Sequence, residues 1–208
     1  MIAANDWHIS DADYQVLYLK VKTTVEERLP KPRLKHVLAT AACAKKLAEL
    51  YNIDLRLAEI AALLHDWDKD QPLDELLKAA EHYAIEIGIN PEKLLHAQTG
   101  ARAVAEVFSE LPPAIIQAID RHTLAAPSMS DLDMLIYIAD IIEPNRDFAG
   151  IEELRNQVGR LPLALLFRNS LQRTIDYLQS KNRTIHPLSI EALKDINNCI
   201  QDSELEDK

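Results

Sequence analysis

Asp54-Leu55-Arg56-Leu57-Ala58-Glu59-Ile60-Ala61-Ala62-Leu63-Leu64-His65-Asp66 is the stretch that decides how this chain reads. Leu57, Ile60, Ala61 and Leu64 recur at helical spacing and share one face, which is not the alternation of a half-buried strand. Asp54 can accept hydrogen bonds from the free N–H groups of the first turn, so it serves as the N-cap. From Ala58 to Leu64 the segment is core-like almost throughout. It then ends on an imidazole and a carboxylate.

The same periodicity extends outward in both directions. Residues 12–29 form an amphipathic stretch ended by Pro30 and Pro32, and Leu34 to Tyr51 is rich in the strong helix formers Ala and Leu. After Asp66, Pro72 opens a helix expected to run to about Ile87, where Gly88 can terminate it. Pro91 starts a helix toward Phe108, and Pro112-Pro113 a short one toward His122. Ser130 caps Leu132 to Ile142 and Pro144 stops that helix, while Pro162 starts a long helix to Gln179 and Pro187 the last, to about Ile200. The reading is an all-α bundle of nine or ten helices. Residues 1–13 read as an N-terminal extension, 14–200 as one domain and 201–208 as an acidic, disordered tail.

Composition narrows the function. A chain of 208 residues can bury a real core without disulfides. It has only 4 glycines, the first of them Gly88, and neither a G-x-G-x-x-G nor a P-loop motif, which excludes Rossmann and P-loop nucleotide sites. With 33 acidic and 23 basic residues the net charge is −10, which argues against a nucleic-acid partner but leaves room for a small anionic substrate held by locally gathered cations. Cys43 and Cys199 form no C-x-x-C pair, and no apolar run reaches the ~18 residues of a membrane span. Met1 to Trp7 lacks the basic region of a signal peptide, so the expected location is cytoplasmic.

The informative residues are polar groups set in apolar helices. Leu135-Ile136-Tyr137-Ile138-Ala139-Asp140-Ile141-Ile142 buries one carboxylate, which is costly unless a cation satisfies it. Asp66, His36 and His96 pose the same question. Singly, each imidazole reads as a surface or hydrogen-bonded core group, Asp140 can pair with an arginine, and His8 and His82 read as ordinary exposed residues. Together His36, His65-Asp66, His96, His122 and Asp140 fall near the ends or on one side of successive helices, so a bundle can point them at one centre. Imidazoles and carboxylates without thiolate suit a catalytic Fe, Mn, Co or Zn ion, and two carboxylates balance its two charges.

The order H…HD…H…H…D on a helical bundle resembles the HD-domain metal-dependent phosphohydrolases. Arg33-Leu34-Lys35-His36-Val37, Ala61 to Lys69, Leu95-His96-Ala97, Arg121-His122-Thr123, Tyr137 to Arg146 and Ile185-His186-Pro187 resemble in particular the YqeK-type symmetrical bis(5'-nucleosyl)-tetraphosphatases, over roughly residues 14–195. The resemblance implies an HD-domain helical bundle that splits diadenosine tetraphosphate, or a related dinucleoside polyphosphate, into two ADP. It implies His36, His65, Asp66 and Asp140 as metal ligands, with iron the expected ion and one ion favoured over two. It places Arg33, Lys69, His96, His122, Thr123 and Arg146 around the polyphosphate, with Arg183 and His186 near the nucleotide, and permits a homodimer. Asp68 departs from the pattern: it stands where a small residue is common and adds negative charge beside an anion site.

The chemistry expected of these residues is hydrolysis of a phosphoanhydride by metal-activated water, with Asp66 orienting the water and Lys69 and Arg146 stabilising phosphate charge. His96 and His122 either hold a second ion or bind phosphate, one of them acting as general acid toward the leaving ADP. Two other functions compete. One is an HD-domain nucleotidase or dNTP phosphohydrolase; the other is a catalytically silent helical module that binds nucleotides. A cyclic-dinucleotide phosphodiesterase would carry a G-Y-P element that this chain lacks.

Overall fold

The computed structural model describes Trp7 and residues 9–206. Among them the chain forms α1 (Asp11–Arg28), α2 (Lys31–Tyr51), α3 (Leu55–Leu64), α4 (Leu73–His82), α5 (Pro91–Val107), α6 (Pro113–Arg121), α7 (Asp131–Ile142), α8 (Ile151–Arg155), α9 (Leu163–Ser180) and α10 (Pro187–Glu206), with no strand. The all-α expectation holds. None of these helices is long and apolar enough to cross a membrane.

α3 and α7 are the two most apolar helices, and they lie where the others meet: α3 packs on α1, α2, α6 and α7, and α7 also on α2, α6 and α9. Asp54 caps α3 by accepting from the N–H groups of Arg56 and Leu57. Leu57, Ile60, Leu63 and Leu64 then vanish from solvent, each such burial stabilising by about 2 kcal/mol. At the start of α7, Ser130 and Asp133 form a reciprocal capping box. Asp133 is wholly buried and also accepts from Gln117 Nε2 at 2.8 Å and Arg121 Nη1 at 3.1 Å. Asp133→Ala strands those donors, so a loss of about 3 kcal/mol is expected, a fall in Tm of roughly 6–12 °C by thermal unfolding.

α4 stops at His82, well short of Gly88. Ala84 turns left-handed at φ 52°, and the amides of Ala84 and Ile85 donate back to the carbonyls of Glu81 and Ala80 at 3.2 and 2.8 Å. This is a Schellman stop, and Ile85 closes it by packing against the Leu76–Ala80 cluster. That apolar contact offsets the cost of a left-handed alanine, about 1–2 kcal/mol.

Two further departures come from the chain ends and α8. α1 begins at Asp11, capped by Ser10, with Trp7 and Ile9 packed on the core, so the described residues of the extension are ordered against it. α10 continues through Glu206 rather than giving way to a disordered tail at residue 201; Asp207 and Lys208, like Met1 to Asp6 and His8, lie outside the described residues. α8 follows Gly150, whose φ of 83° lets the chain turn. Its Arg155 donates to the carbonyls of Ile142, Glu143 and Arg146 at 3.0, 2.7 and 3.0 Å, which caps α7 and fixes the loop beyond it.

Candidate metal and phosphate site

Five helices deliver their polar residues to one place. α2 carries Arg33 and His36, α5 His96, and α7 Asp140, while His65 caps the end of α3 and His122 the end of α6. Beyond Leu64 the chain runs as consecutive turns, with the amides of Trp67, Lys69 and Gln71 bonded to the carbonyls of Leu64, Asp66 and Asp68, each at 3.1 Å. This tighter winding lets both Asp66 and Lys69 reach His96: Asp66 Oδ1 lies 3.5 Å and Lys69 Nζ 3.4 Å from its Nε2.

The four residues expected to ligate a metal converge. His36 Nε2 lies 2.9 Å from Asp140 Oδ1 and 3.6 Å from Asp66 Oδ2. His65 Nε2 lies 3.5 Å from Asp66 Oδ2 and 3.7 Å from Asp140 Oδ1. The far nitrogens set the tautomers: His65 Nδ1 donates to the carbonyl of Ala62 at 2.7 Å, and His36 Nδ1 to Glu143 Oε1 at 3.1 Å. Both Nε2 atoms are buried without a hydrogen-bond partner and point at the two carboxylates. Unsatisfied lone pairs turned toward carboxylate oxygens are what a divalent cation needs, so the donor set fits one.

Electrostatics agrees. Burial opposes charging His65, but Asp66 and Asp140 outweigh it and push its pKa up to about 10. Burial likewise works against both carboxylates, yet His65 beside Asp66, and His36 and His65 beside Asp140, hold them well below the usual carboxylate range. Negative charge here is strong enough to retain a proton on a fully buried imidazole. A metal ion held by the same atoms would take the place of that proton.

Arginines reach the same carboxylates. Arg33 Nη1 donates to Asp66 Oδ2 at 2.6 Å while its Nε and Nη2 grip Asp70 at 3.0 and 3.2 Å. Arg146 pairs with Asp140 through Nη2 and donates from Nε to the Asp140 carbonyl at 2.9 Å. The arginine reading of Asp140 is thus realised together with the imidazole cluster.

On the other side of Asp66, His122 Nε2 lies 3.6 Å from Oδ1 and 3.3 Å from His96 Nε2, and Thr123 Oγ1 sits 3.0 and 3.2 Å from those two nitrogens. His122 Nδ1 donates to the carbonyl of Ile119 at 2.7 Å, which turns its Nε2 lone pair inward. Burial, then His122 and Lys69, hold His96 well below the ordinary histidine range, and burial lowers Lys69 as well.

A cavity of about 480 Å³ is walled by Leu94, Leu95, Leu124, Pro187 and Leu188 and bordered by Gln98 and His186; Leu95 and Leu124 are the chain neighbours of His96 and Thr123, and no residue of the cluster itself lines it. His186 lines it, with Nδ1 accepting from the Leu188 amide at 3.2 Å. Arg183 is exposed on the loop between α9 and α10. Asp68 is not left as a free charge beside the expected phosphate residues; it is buried and paired with Arg28 Nη2 at 2.8 Å.

Sequence reading passed over Glu143. This carboxylate is 1% exposed, holds His36, and accepts from the Asn145 backbone amide at 2.6 Å and side chain at 2.9 Å. Its signal was available: an acid immediately after the apolar run that already contains Asp140.

An imidazole pair and two carboxylates gathered on helices in the order His, His-Asp, Asp define a class, and the chain belongs to the HD domain family, whose match covers residues 33–145. Within it the chain groups with the symmetrical bis(5'-nucleosyl)-tetraphosphatases. It is 36% identical over 170 residues to the one from Halalkalibacterium halodurans, covering 81% of this chain and 90% of the relative. It is 34% identical over 166 residues to the one from Bacillus subtilis, covering 78% and 88%. A crystal structure from Clostridium acetobutylicum, described as an HD superfamily hydrolase involved in NAD metabolism, matches with a TM-score of 0.80 at 32% identity, covering 87% of this chain and 97% of that one.

Proposed function

We propose that this protein is a metal-dependent hydrolase that cleaves diadenosine tetraphosphate symmetrically to two ADP. The observation that carries the reading is the convergence of the two unpartnered Nε2 atoms of His36 and His65 on Asp66 and Asp140, beside Arg33, Lys69 and Arg146. The relatives named as tetraphosphatases support the substrate.

His36, His65, Asp66 and Asp140 would hold one divalent ion, with iron the metal we propose. Such an ion lowers the pKa of a water and polarises a phosphoryl oxygen. The chain's own residues do the rest. Asp66 Oδ1, on the side away from Arg33, orients the attacking water. Arg146 keeps Nη1 for a phosphate oxygen, and Lys69 adds a compact positive charge. Burial disfavours charging His96, and His122 turns a lone pair inward, so the proton for the leaving ADP comes from Lys69, with Thr123 beside both imidazoles. The apolar cavity walled by Leu95 and Leu124 suits a nucleoside, with His186 at its wall and Arg183 on the same loop. The substrate is a small dinucleotide rather than a nucleic acid, the location cytoplasmic, and a homodimer is compatible with the fold.

A two-ion reading draws on one observation: His65, Asp66 and His122 also bring their ligand atoms together. Both groupings use His65 Nε2, whose single lone pair serves one ion, and this favours one.

Product analysis tests the function. Iron-reconstituted protein given diadenosine tetraphosphate, dATP and dAMP at equal concentration is expected to form ADP as the sole nucleotide product from the first and to leave the others largely intact. ATP plus AMP from the tetraphosphate, or faster release of phosphate or triphosphate from the simple nucleotides, overturns the assignment.

A further inference from the structure

The turns from His65 to Gln71 carry Asp66 and Lys69, yet their backbone bonds span only three residues each and are not extended into a regular helix. Such a segment depends on side chains to fix it. Two arginines at the α1–α2 corner supply the grip. Arg33 takes Asp66 and Asp70. Arg28, the last residue of α1, takes what lies between: its Nη2 donates to Asp68 Oδ1 at 2.8 Å, its Nε to the Trp67 carbonyl at 3.1 Å, and its guanidinium lies 4.4 Å from the Trp67 ring centre. Trp67 is 4% exposed and in turn packs edge-on against Phe108. The Trp67 side chain and the Asp68 backbone also lie where a Cβ on Gly100 would meet them at 3.5 Å, so α5 closes the segment from the other side.

We propose that Arg28 is a positioning residue: by clamping Trp67 and Asp68 it holds Asp66 and Lys69 in register with the site and neutralises the one carboxylate that would otherwise stand free between them. This role presupposes the phosphohydrolase reading. Without Arg28 two things change. The turn loosens, which misplaces Asp66 and Lys69 and lowers kcat. Asp68, freed of Arg28, also becomes an unpaired negative charge next to Lys69 in the chain, which raises KM.

The two effects separate by variant, measured on the metal-loaded protein with diadenosine tetraphosphate. Arg28→Ala is expected to lower kcat about tenfold or more and raise KM roughly fivefold. Adding Asp68→Asn removes the free charge and is expected to restore KM but not kcat. Arg28→Lys keeps the charge without the fork or the stacking plane, so KM stays near the parent's while kcat falls; this milder variant also covers the case in which Arg28→Ala does not fold. Binding of ADP, followed by calorimetry, reports the charge effect without turnover. An unaltered protein that binds ADP but does not cleave the tetraphosphate therefore sinks the functional reading and leaves this one standing if Arg28→Ala still weakens ADP. Unchanged kcat and KM in Arg28→Ala, or a KM rise that survives Asp68→Asn, overturns the proposal.

Discussion

His65→Ala is expected to abolish hydrolysis, a fall in kcat of about a thousandfold or more, and to remove the bound metal while leaving the bundle folded. The side chain has no exposure; its Nδ1 bonds the Ala62 carbonyl within its own turn, and its Nε2, committed to no protein hydrogen bond, contributes a lone pair to the site. Its loss opens a cavity lined partly by polar groups, which water can fill. The imidazole also leaves Asp66 and Asp140 with one positive neighbour fewer, and Arg33 and Arg146 remain to compensate them. Far-UV circular dichroism should therefore match the parent protein, while metal analysis and turnover collapse together. A folded variant that kept its metal would place His65 outside the ligand set.

Glu143→Ala should have the next largest effect. Glu143 Oε1 accepts from His36 Nδ1 and fixes both the ring's orientation and the nitrogen left free to face Asp140. Partners of this kind raise ligand basicity, and their removal costs about 10–100-fold in metal affinity. The variant also strands the Asn145 amide and side chain, which bond to Glu143 Oε2, and so loosens the loop carrying Arg146. Glu143→Gln retains an acceptor for His36 without the charge and should fall between. Metal titration of the two variants and the parent checks the order; equal affinities in all three would mean that His36 needs no such partner.

The parts of this molecule that were legible in sequence share a physical reason. α3 and α7 carry strong local signals: a capping Asp54 or Ser130 followed by apolar residues at helical spacing. Asp66 and Asp140 stood out because a carboxylate inside such a run demands a cation. The rest depends on pairings between distant residues. Nothing around Glu143 says that it meets a histidine 107 positions earlier, and nothing around Asp68 says that Arg28, 40 positions away, will pair with it. α4 failed differently. Gly88 is the better left-handed residue, but Ile85 has the apolar cluster to pack on, and packing decided where the helix stopped. The helix through Glu206 likewise shows that acidic composition alone did not prevent order.

The most direct test of the account is to strip the protein of metal by chelation and add ferrous iron back in steps, following ADP released from diadenosine tetraphosphate. The prediction is background activity in the stripped protein and a linear recovery that saturates near one ion per chain. Full activity without metal would contradict it.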